Sequence, residues 1–507
     1  MKSNTKNIVG ALVAVLILFS TSCTKDFDKI NTDETLVTED IVKPSMMFTS
    51  VLKNSVFSSY NTSIIAEYSG YYSNGASGVI FKNANWSDPF NEFYRSYIIN
   101  ISEVIRLTAN DPKLVNEHAM ARVWKAWLFS QLTDLYGDVP YFEASKKVEE
   151  VVSQPKYDTQ KDIYTDLLKE LKEAATQLNA DATLASFGSA DILMNGDVDK
   201  WKRFANSLRL RLAMRVRYAD DALAKQHILD VVGAPLIDAN SYNVYLTTID
   251  GSNPQNRNPL WIDPINPYPQ FASFTVSDNL KKLNDPRLPI FLVPAIDGVS
   301  GYNGRPIAMG ASDVSTIPGK GIYSESTTEA QQQYFRNAVY PIIVMNAAEV
   351  YLLRAEAALA GISTENAQLM YTNGISQSLT QFSVAPAAMS AYLASSTATL
   401  SGTVEEKLEQ IIVQKFLGMY FQINEGYAEF RRTGYPRIWT GSDKGSTNSE
   451  IPRRLTYPLD EYAKNEANVK EATGRLANGD TYMSRMWWDA KAGLPFHHAN
   501  QGIFPPE

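Results

Sequence analysis

Three stretches of this chain repeat apolar side chains every three or four residues, and this spacing limits the fold more than any other feature. Residues with that spacing fall on one side of an α-helix, and this side must be buried against other elements. The pattern predicts helices over residues 119–136, 160–178 and 198–217. The tryptophans in these stretches lie on the apolar sides, so we expect them in the core: Trp124, Trp127 and Trp201.

Further helices are expected in the second half of the chain. Residues 343–360 are rich in alanine and end at Gly361, a common residue after a helix C-terminus, and residues 364–380 resemble an antiparallel partner. Residues 404–432 predict one long helix. Helix pairs with alanine at their contacts are typical of tetratricopeptide-like hairpins, although no strict repeat of about 34 residues is present. The predicted fold class is therefore mainly α, with a tetratricopeptide-like helix-pair scaffold.

Two regions have a different composition, rich in proline, glycine, asparagine and aspartate. One is residues 70–90, and the other lies within about 218–342, where residues 253–271 and 297–306 are most irregular. Long irregular loops in a compact chain are usually functional or disordered, and the aromatic residues in these loops argue against disorder. Because no Gly/Ser-rich or Pro-rich linker divides the chain, residues 41–507 are expected to form a single α-helical domain with this loop-rich insert.

The chain begins with a short positive segment and a run of 12 apolar or small residues at 8–19. The run is too short to span a bilayer, which takes about 20 residues, but it fits the core of a secretory signal peptide. Cys23, the only cysteine, follows soon after it. Because a bacterial lipoprotein is cut and lipidated at such a cysteine, we predict a signal peptide over 1–22 and a lipidated tether over 23–40. The alternative is a general secretory signal followed by a small buried cysteine, and Ser20, where leucine is usual, favours that alternative.

The acidic balance of the chain excludes one class of partner. The chain carries 47 basic and 55 acidic side chains, a formal charge of −8. Removing Lys2 and Lys6 with the signal peptide leaves 45 basic side chains and a charge of −10. Such a surface repels nucleic acid and anionic membranes, so neither is an expected partner.

The helix over 198–217 carries an unusual run of arginine residues. The run has two readings, an anion-binding site or a solvated or salt-bridged helix face: Arg203, Arg209, Arg211, Arg215 and Arg217. The acidic excess of the chain supplies many partners for these cations, so we interpret the run as a solvated or salt-bridged face.

Aromatic side chains in the loops are candidates for contact with sugars. A glycan presents CH faces on which aromatic rings stack, and hydroxyl groups that amides and carboxylates hydrogen-bond. Three clusters combine these groups: Tyr71, Tyr72, Asn85, Trp86 and Asp88; Trp261 and Tyr268 with Asp263 and Phe271; and Tyr302 with Asn303 and Arg305. Trp86 is the strongest candidate, because it stands between Asn85 and Asp88 and lies on no helical stripe. The competing interpretation of each aromatic residue is that it pins a long loop to the core.

Seven short stretches, in a fixed order, connect the chain to a known family. They are DFDKINTDE after Cys23, LYGDVPYFEA at 135–144, PKYDTQKDIYTDLLKEL at 155–171, LNDPRLPIF at 283–291, GYNGRP at 301–306, AAEVYLLRAEAAL at 347–359 and YAEFRRTGYPRI at 427–438. Together they resemble the SusD/RagB family of nutrient-binding outer-membrane lipoproteins, in its SusD-like branch. The resemblance covers nearly the whole chain.

The resemblance implies a function and a location. It implies an oligosaccharide-binding lipoprotein that captures nutrient and delivers it to a TonB-dependent (SusC-like) transporter, on which it sits as a lid. The stretch 25–28 is similar to the acidic segment that sends such lipoproteins to the outer face of the outer membrane, where a lipid anchor would hold the protein facing the cell exterior. The alternative is an oligopeptide-binding lipoprotein of the same transporter type, favoured by a ligand surface lined with Asp, Glu and Arg.

Catalytic motifs are not found in the sequence. With 55 acidic residues, the sequence does not single out a pair of carboxylates for glycoside hydrolysis. It contains no HExxH, no GxSxG elbow and no P-loop, and its four histidines lack the spacing of zinc ligands. We therefore interpret the chain as a binding protein without cofactor or metal, and a surface glycoside hydrolase is the weakest alternative.

Overall fold

The computed structural model of the protein describes residues 43–60, 63–73, 88–144, 152–259, 271–292, 294, 301–308, 338–441 and 450–501. Helices dominate these ranges, which confirms the predicted mainly α class. The α-helices in the first half are Pro44–Tyr60 (α1), Ser63–Tyr68 (α2), Asp88–Glu92 (α3), Ile99–Thr108 (α4), Val115–Tyr136 (α5), Gln160–Gln177 (α6), Val198–Val216 (α7) and Asp221–Val232 (α8). Those in the second half are Phe274–Lys282 (α9), Leu288–Phe291 (α10), Ala347–Leu359 (α11), Ala367–Gln381 (α12), Pro386–Leu393 (α13), Val404–Gly418 (α14), Ile423–Thr433 (α15), Leu459–Lys464 (α16) and Glu466–Gly474 (α17).

Shorter helical segments and four strands complete the described elements. A π-helical segment, Phe93–Ile98, joins α3 to α4. The 3-10 turns are Pro112–Leu114, Gly188–Ala190, Asn240–Tyr242, Pro254–Asn256 and Ser396–Ala398. The strands are Tyr72–Ser73 (β1), Val244–Thr247 (β2), Phe271–Ala272 (β3) and Pro341–Met345 (β4), and β1 pairs with β3 and β2 with β4, both antiparallel. None of the helices in the described ranges has the length and apolar character needed to cross a bilayer.

Neighbouring helices in the chain pack side by side and form the scaffold. Helices α5, α6, α7 and α8 contact one another in sequence order, and α11 packs against α12 as the expected hairpin partner. The three predicted core tryptophans are buried: Trp124, Trp127 and Trp201. Their rings pack together, and the Trp124 and Trp127 ring centroids are 4.4 Å apart. Buried residues extend from Phe48 to Trp488, so nearly the whole described chain contributes to the core.

Side chains at the helix N-termini explain why the helices begin where they do. The Thr159 hydroxyl accepts a hydrogen bond from the Asp162 N–H at the start of α6, and the Asp197 carboxylate accepts from the Lys200 N–H at the start of α7. Helix α14 begins with a reciprocal capping box in which Thr403 and Glu406 each satisfy a backbone N–H of the other. Such caps each contribute about 1 kcal/mol.

Two helix predictions in the second half need correction. The stretch 343–360 is not one helix, because β4 occupies its beginning and the Asn346 side chain caps α11 from outside. The β-branched run at 342–344 favours the strand. The stretch 404–432 forms two helices, α14 and α15, because the chain turns between them and Phe421 adopts a positive φ of 71°. A left-handed residue cannot continue a helix.

Helices α7, α11, α14 and α15 share a set of buried ionised side chains, which we call the buried charge cluster. It consists of Arg211, Arg215, Glu349, Glu356, Lys415, Glu425, Glu429 and Arg432. Arg215 reaches Glu425 and Glu429 at 2.6 Å each, and Arg432 reaches Glu356 at 2.6 Å and Glu429 at 2.7 Å. Arg211 lies 2.6 Å from Glu349. The cations are therefore paired within the core.

The arginine run of α7 is thus salt-bridged, but not solvated throughout. Arg209, Arg211 and Arg215 are buried, whereas the sequence interpretation allowed a solvated face. The other two arginines are only partly buried, and each meets a carboxylate: Arg203 meets Asp199 and Asp238, and Arg217 meets Glu356. Because each guanidinium group of the run has an acidic partner, an anion site on this helix receives no support.

Candidate ligand-binding site

Three of the loop regions singled out by composition meet at one place in the fold. Strand β1 pairs with β3, so that Tyr72 faces Ala272 and Ser73 faces Phe271. The stretch 301–307 then runs beside β3, with a parallel bridge between Ser273 and Arg305. We call the segments 70–73, 271–273 and 301–307 the loop-root cluster, because each leads into one of these loops.

Main-chain hydrogen bonds fix the third segment against the first two. The Arg305 N–H donates to the Ala272 carbonyl and the Phe274 N–H donates to the Arg305 carbonyl, both at 2.8 Å. The Ser73 hydroxyl donates to the Pro306 carbonyl at 3.0 Å. The serine bond joins residues 233 positions apart in sequence, and the three bonds together hold the segments as one small platform.

A glycine allows this close approach. A Cβ atom on Gly304 would stand 2.2 Å from the Ser273 carbonyl oxygen and 2.4 Å from the Ser277 hydroxyl. The Gly304 N–H instead donates to that hydroxyl at 3.0 Å. Because any side chain would collide with backbone here, the motif GYNGRP needs glycine at its fourth position.

Several residues predicted to bind ligand lie outside the described residues. They are Asn85, Trp86, Trp261 and Tyr268, and the lipidation candidate Cys23 also lies outside. Asp88 begins α3, but its side chain is not described. Their roles stay predictions. By chain connectivity, the loops 74–87 and 260–270, which carry the four ligand candidates, start or end at the loop-root cluster.

Tyr71 is placed where it cannot stack on a ligand. Its ring is fully buried, lies parallel to the Phe416 ring at 4.2 Å between centroids, and comes within 2.7 Å of where a side chain on Gly426 would begin. Its hydroxyl donates to the Phe416 carbonyl at 2.7 Å. Tyr71 therefore anchors the loop-root cluster to the helical core, as the competing interpretation of loop aromatics describes, and we do not keep it among the ligand contacts.

Tyr72 and Tyr302 remain at the surface of the loop-root cluster, and both are half-buried. Burial and the nearby Glu67 carboxylate raise the pKa of Tyr72 to about 12, against a lowering influence from Arg305. Burial also raises the pKa of Tyr302. Both hydroxyl groups therefore stay protonated at neutral pH and can donate hydrogen bonds.

The exposed chemistry of the cluster suits a sugar. It combines two phenol rings with the amide of Asn303 and the guanidinium of Arg305, both half-buried. Rings stack on CH faces, and the polar groups hydrogen-bond hydroxyls. Within the ranges described above, no three His, Cys, Asp or Glu side chains approach as a metal-binding group.

The sequence analysis missed the residues that assemble the cluster. Ser73, Ser273 and Ser277 bind backbone groups of distant segments, and single serines in loops carry no pattern that predicts such pairing. Gly304 was noted only as part of a motif. The second glycine of GYNGRP was the one usable sign of close backbone contact.

Comparison with known proteins identifies the family and the fold. A family model described as "SusD-like_2: Starch-binding associating with outer membrane" matches residues 35–458. No curated protein sequence matches the chain.

Solved structures with the same fold are numerous. One, described as a chitin-binding protein, is 28% identical, with a TM-score of 0.77 over 89% of this chain and 100% of that one. A SusD homolog from Bacteroides uniformis is 26% identical, with a TM-score of 0.74 over 89% of this chain and 100% of that one. A chitin-binding SusD homolog from Flavobacterium johnsoniae, 24% identical with a TM-score of 0.72 over 89% and 98% of the two chains, shows the shared fold.

Proposed function

The chain belongs to the SusD-like family, and from that premise we propose that it binds an oligosaccharide at the loop-root cluster and delivers it to a TonB-dependent transporter. The observation that carries the proposal is the convergence of three aromatic-bearing loop regions on one platform. Residues that act together on a ligand need a common position, and the hydrogen bonds from Ser73 and Arg305 provide it.

The proposed ligand is a neutral glycan with exposed CH faces. The family description names starch binding, and the neighbour at 28% identity is described as chitin-binding. Chito-oligosaccharides and malto-oligosaccharides are therefore the first ligands to test. Tyr302 is the described residue that we expect to stack on the sugar, with Tyr72 beside it.

A calorimetric titration tests the site. The chain from residue 24 is titrated with chitohexaose and with maltohexaose, and Tyr302→Ala is expected to weaken binding about tenfold, as loss of one stacking ring would. Tyr245→Ala is the matched control, because Tyr245 is an exposed tyrosine on the outer side of β2. Equal affinity of both variants would remove Tyr302 from the site.

An oligopeptide ligand is the second candidate, and one groove favours it. A groove of about 340 Å³ lies beside the π-helical segment and carries charges of both signs, among them Arg95, Glu143 and Lys464. A main chain with charged side chains would fit such a lining. In the same calorimetric titration, heat released with mixed oligopeptides but not with sugars would support a peptide ligand over a glycan. Loss of that heat in Arg95→Ala would assign peptide binding to this groove.

Anchoring at the cell surface follows from Cys23 in the same proposal. The family description places its members at the outer membrane, and lipidation of Cys23 would hold the protein there, facing outward. Cys23→Ala is expected to leave the protein soluble after cell lysis. A variant that still fractionates with the outer membrane would contradict a lipid anchor at this residue.

The proposed function contains no catalytic step. Capture and delivery require binding and release only, and SusD-like proteins are binding proteins. Incubation of the protein with chitohexaose or maltohexaose is therefore expected to return the intact sugar. Shortened products in chromatography, absent in a mock preparation, would support the glycoside hydrolase alternative.

A further inference from the structure

A second groove lies on the helix-pair scaffold, between α6 and α8. Its volume is about 630 Å³, within the range of about 300–1,000 Å³ that small-molecule sites occupy. The lining residues that matter below are Phe142, Asp166, Lys169, Gln226 and His227. None of these residues belongs to the loop-root cluster.

A buried histidine supplies a fixed donor to this groove. His227 is only 6% exposed, and the Arg209 Nε–H donates to its Nδ1 at 2.7 Å. Nδ1 is therefore the acceptor nitrogen, and the proton of the neutral ring is on Nε2. Burial and the charge of Arg209 lower the pKa of His227 to about 4, so the ring is neutral at physiological pH.

The position of the imidazole is also fixed. Arg209 is buried and donates to the Asp230 carboxylate at 2.5 Å, which holds the guanidinium in place behind the ring. Among the described residues, no acceptor is within hydrogen-bond distance of Nε2, and His227 lines the groove. The N–H group is thus available to an acceptor that enters the groove.

Phe142 offers an open aromatic face at the same place. Its side chain is 49% exposed, and its ring meets Tyr141 edge to face at 4.8 Å between centroids. The Phe142 N–H donates to the Asp158 carboxylate at 2.9 Å, which fixes the backbone. A large aromatic ring that is half exposed and held from behind is suited to stacking.

Hydrogen-bond donors and acceptors both line the groove. Asp166 accepts a hydrogen bond from the Tyr141 hydroxyl at 2.7 Å with one carboxylate oxygen, and its second oxygen can accept another. Gln226 is exposed on α8 and supplies an amide that donates and accepts. An N–H donor, a carboxylate acceptor and an amide around an aromatic ring match the hydroxyl groups and CH face of a sugar.

We propose that this groove is a second oligosaccharide-binding site, in which Phe142 stacks on a sugar ring while His227, Asp166 and Gln226 hydrogen-bond its hydroxyl groups. The ligand class rests on the proposed function, whereas the site is separate from the loop-root cluster. Two contacts on one chain raise the avidity for a long polymer without any gain for a short oligosaccharide.

A site-specific label tests this proposal. Cys23 is the only cysteine, so a cysteine introduced into the chain from residue 24 is unique. Lys169→Cys, carrying a trifluoromethyl label, reports on the groove that it lines, and labelled Leu369→Cys on the exposed surface of α12 is the matched control. Fluorine NMR spectra are recorded while chitohexaose, maltohexaose and cellohexaose are added.

The proposal expects a saturable shift of the label at 169 with at least one of the three sugars, and none at 369. Phe142→Ala should raise the dissociation constant read at 169 about tenfold, without a change in melting temperature, because the side chain is half exposed. Gln226→Ala should weaken sugar binding at this groove less than Phe142→Ala does. Tyr302→Ala should leave the shift at 169 unchanged.

Two outcomes would overturn the second site. One is the absence of a saturable shift at 169 with all three sugars, and the other is a shift that Phe142→Ala does not weaken. Failure of the loop-root proposal is distinguishable, because there Tyr302→Ala would leave the calorimetric affinity unchanged while the label at 169 still responds.

Discussion

The buried charge cluster and the loop-root cluster place their polar side chains in opposite surroundings. In the buried charge cluster, Arg215, Glu429 and Arg432 are inaccessible to solvent and bonded to one another. In the loop-root cluster, backbone groups and serine hydroxyls make the bonds, and Tyr72 and Tyr302 keep part of their surface exposed. The first region uses its polar groups to hold the fold, and our proposal assigns the exposed tyrosines of the second to a ligand.

The difference shows why a charged run is a poor guide to function. Arginines on α7 and half-buried tyrosines in loops are equally conspicuous in the sequence, yet Arg211 and Arg215 are buried whereas Tyr72 and Tyr302 keep exposed surface. Solvent exposure separates the two cases, since a buried and ion-paired side chain cannot reach a ligand. The predictions below test that division.

The largest effect is expected from Arg432→Ala. Removing one partner from a buried ion pair leaves carboxylates uncompensated and costs about 3–5 kcal/mol, here at Glu356 and Glu429. Urea unfolding measures the loss. Lys470→Ala, which breaks the exposed pair with Glu466, is the control and should cost under about 1 kcal/mol. Similar losses in both variants would mean that the buried charge cluster is not a special contributor to stability.

Acid should weaken the same cluster. Burial alone would raise the pKa of Glu429, but Arg432, Lys415 and Arg215 hold it well below its ordinary value. A carboxyl group whose pKa is lowered on folding stabilises the protein above the unfolded value of about 4.3. That stabilisation is lost as pH falls through the folded value. Glu349, whose pKa is raised by burial, acts in the opposite direction.

The measurement is the melting temperature between pH 7 and pH 3. We expect the melting temperature to change little from pH 7 down to the ordinary range of carboxyl pKa values, and to fall at lower pH. Sugar affinity is expected to stay constant between pH 5 and 8, because Tyr72 and Tyr302 remain neutral. A melting temperature that rises on acidification would show that the carboxyl groups of the cluster are protonated in the folded protein.

A smaller loss of stability and a complete loss of binding are expected from Gly304→Ala. The added Cβ would collide with the Ser273 carbonyl and push 301–307 away from β3. Such overpacking costs about 1–3 kcal/mol, and the shift would separate Tyr302 from Tyr72. Calorimetry and thermal melting measure the two effects. Gly233→Ala is the control, since a Cβ there would meet no neighbour and the φ of Gly233 is −95°, which any residue can adopt. Normal sugar binding by Gly304→Ala would contradict the claim that the loop-root cluster forms the binding site.

The smallest effect is expected from Tyr72→Phe. It removes one hydroxyl and keeps the ring, so the loss should be about one hydrogen bond, 0.5–1.5 kcal/mol in sugar affinity. Tyr71→Phe is the matched comparison, because its hydroxyl bonds to Phe416 within the core and its loss should change stability rather than affinity. Loss of stability in Tyr72→Phe and loss of affinity in Tyr71→Phe would mean that Tyr71 contacts the sugar and Tyr72 supports the fold.

The helical scaffold was predictable because its information is local. The three/four spacing around Trp124 and Trp201 specifies a buried helix side without knowledge of its partner. The break at Phe421 and the strand β4 escaped prediction, because a turn and a distant strand partner override local preference there. The buried position of Arg211 and Arg215 depends on carboxylates contributed by other helices.

The candidate site was predictable only in part. Composition identified the loops and the tyrosines 72 and 302, but the pairing of Tyr72 with Ala272 joins positions 200 residues apart, which no local pattern encodes. Tyr71, predicted to contact ligand, is buried by residues that are even farther away in the sequence. Its neighbours in sequence suggest a loop, while its neighbours in space are Phe416 and Gly426.

The most direct test of the glycan-binding proposal is a crystal structure of the chain from residue 24 with whichever of chitohexaose and maltohexaose binds more tightly. The account predicts a sugar ring stacked on Tyr302, with hydroxyl groups near Tyr72 and Arg305. Sugar bound only at other surfaces, with the loop-root cluster free of ligand, would contradict it.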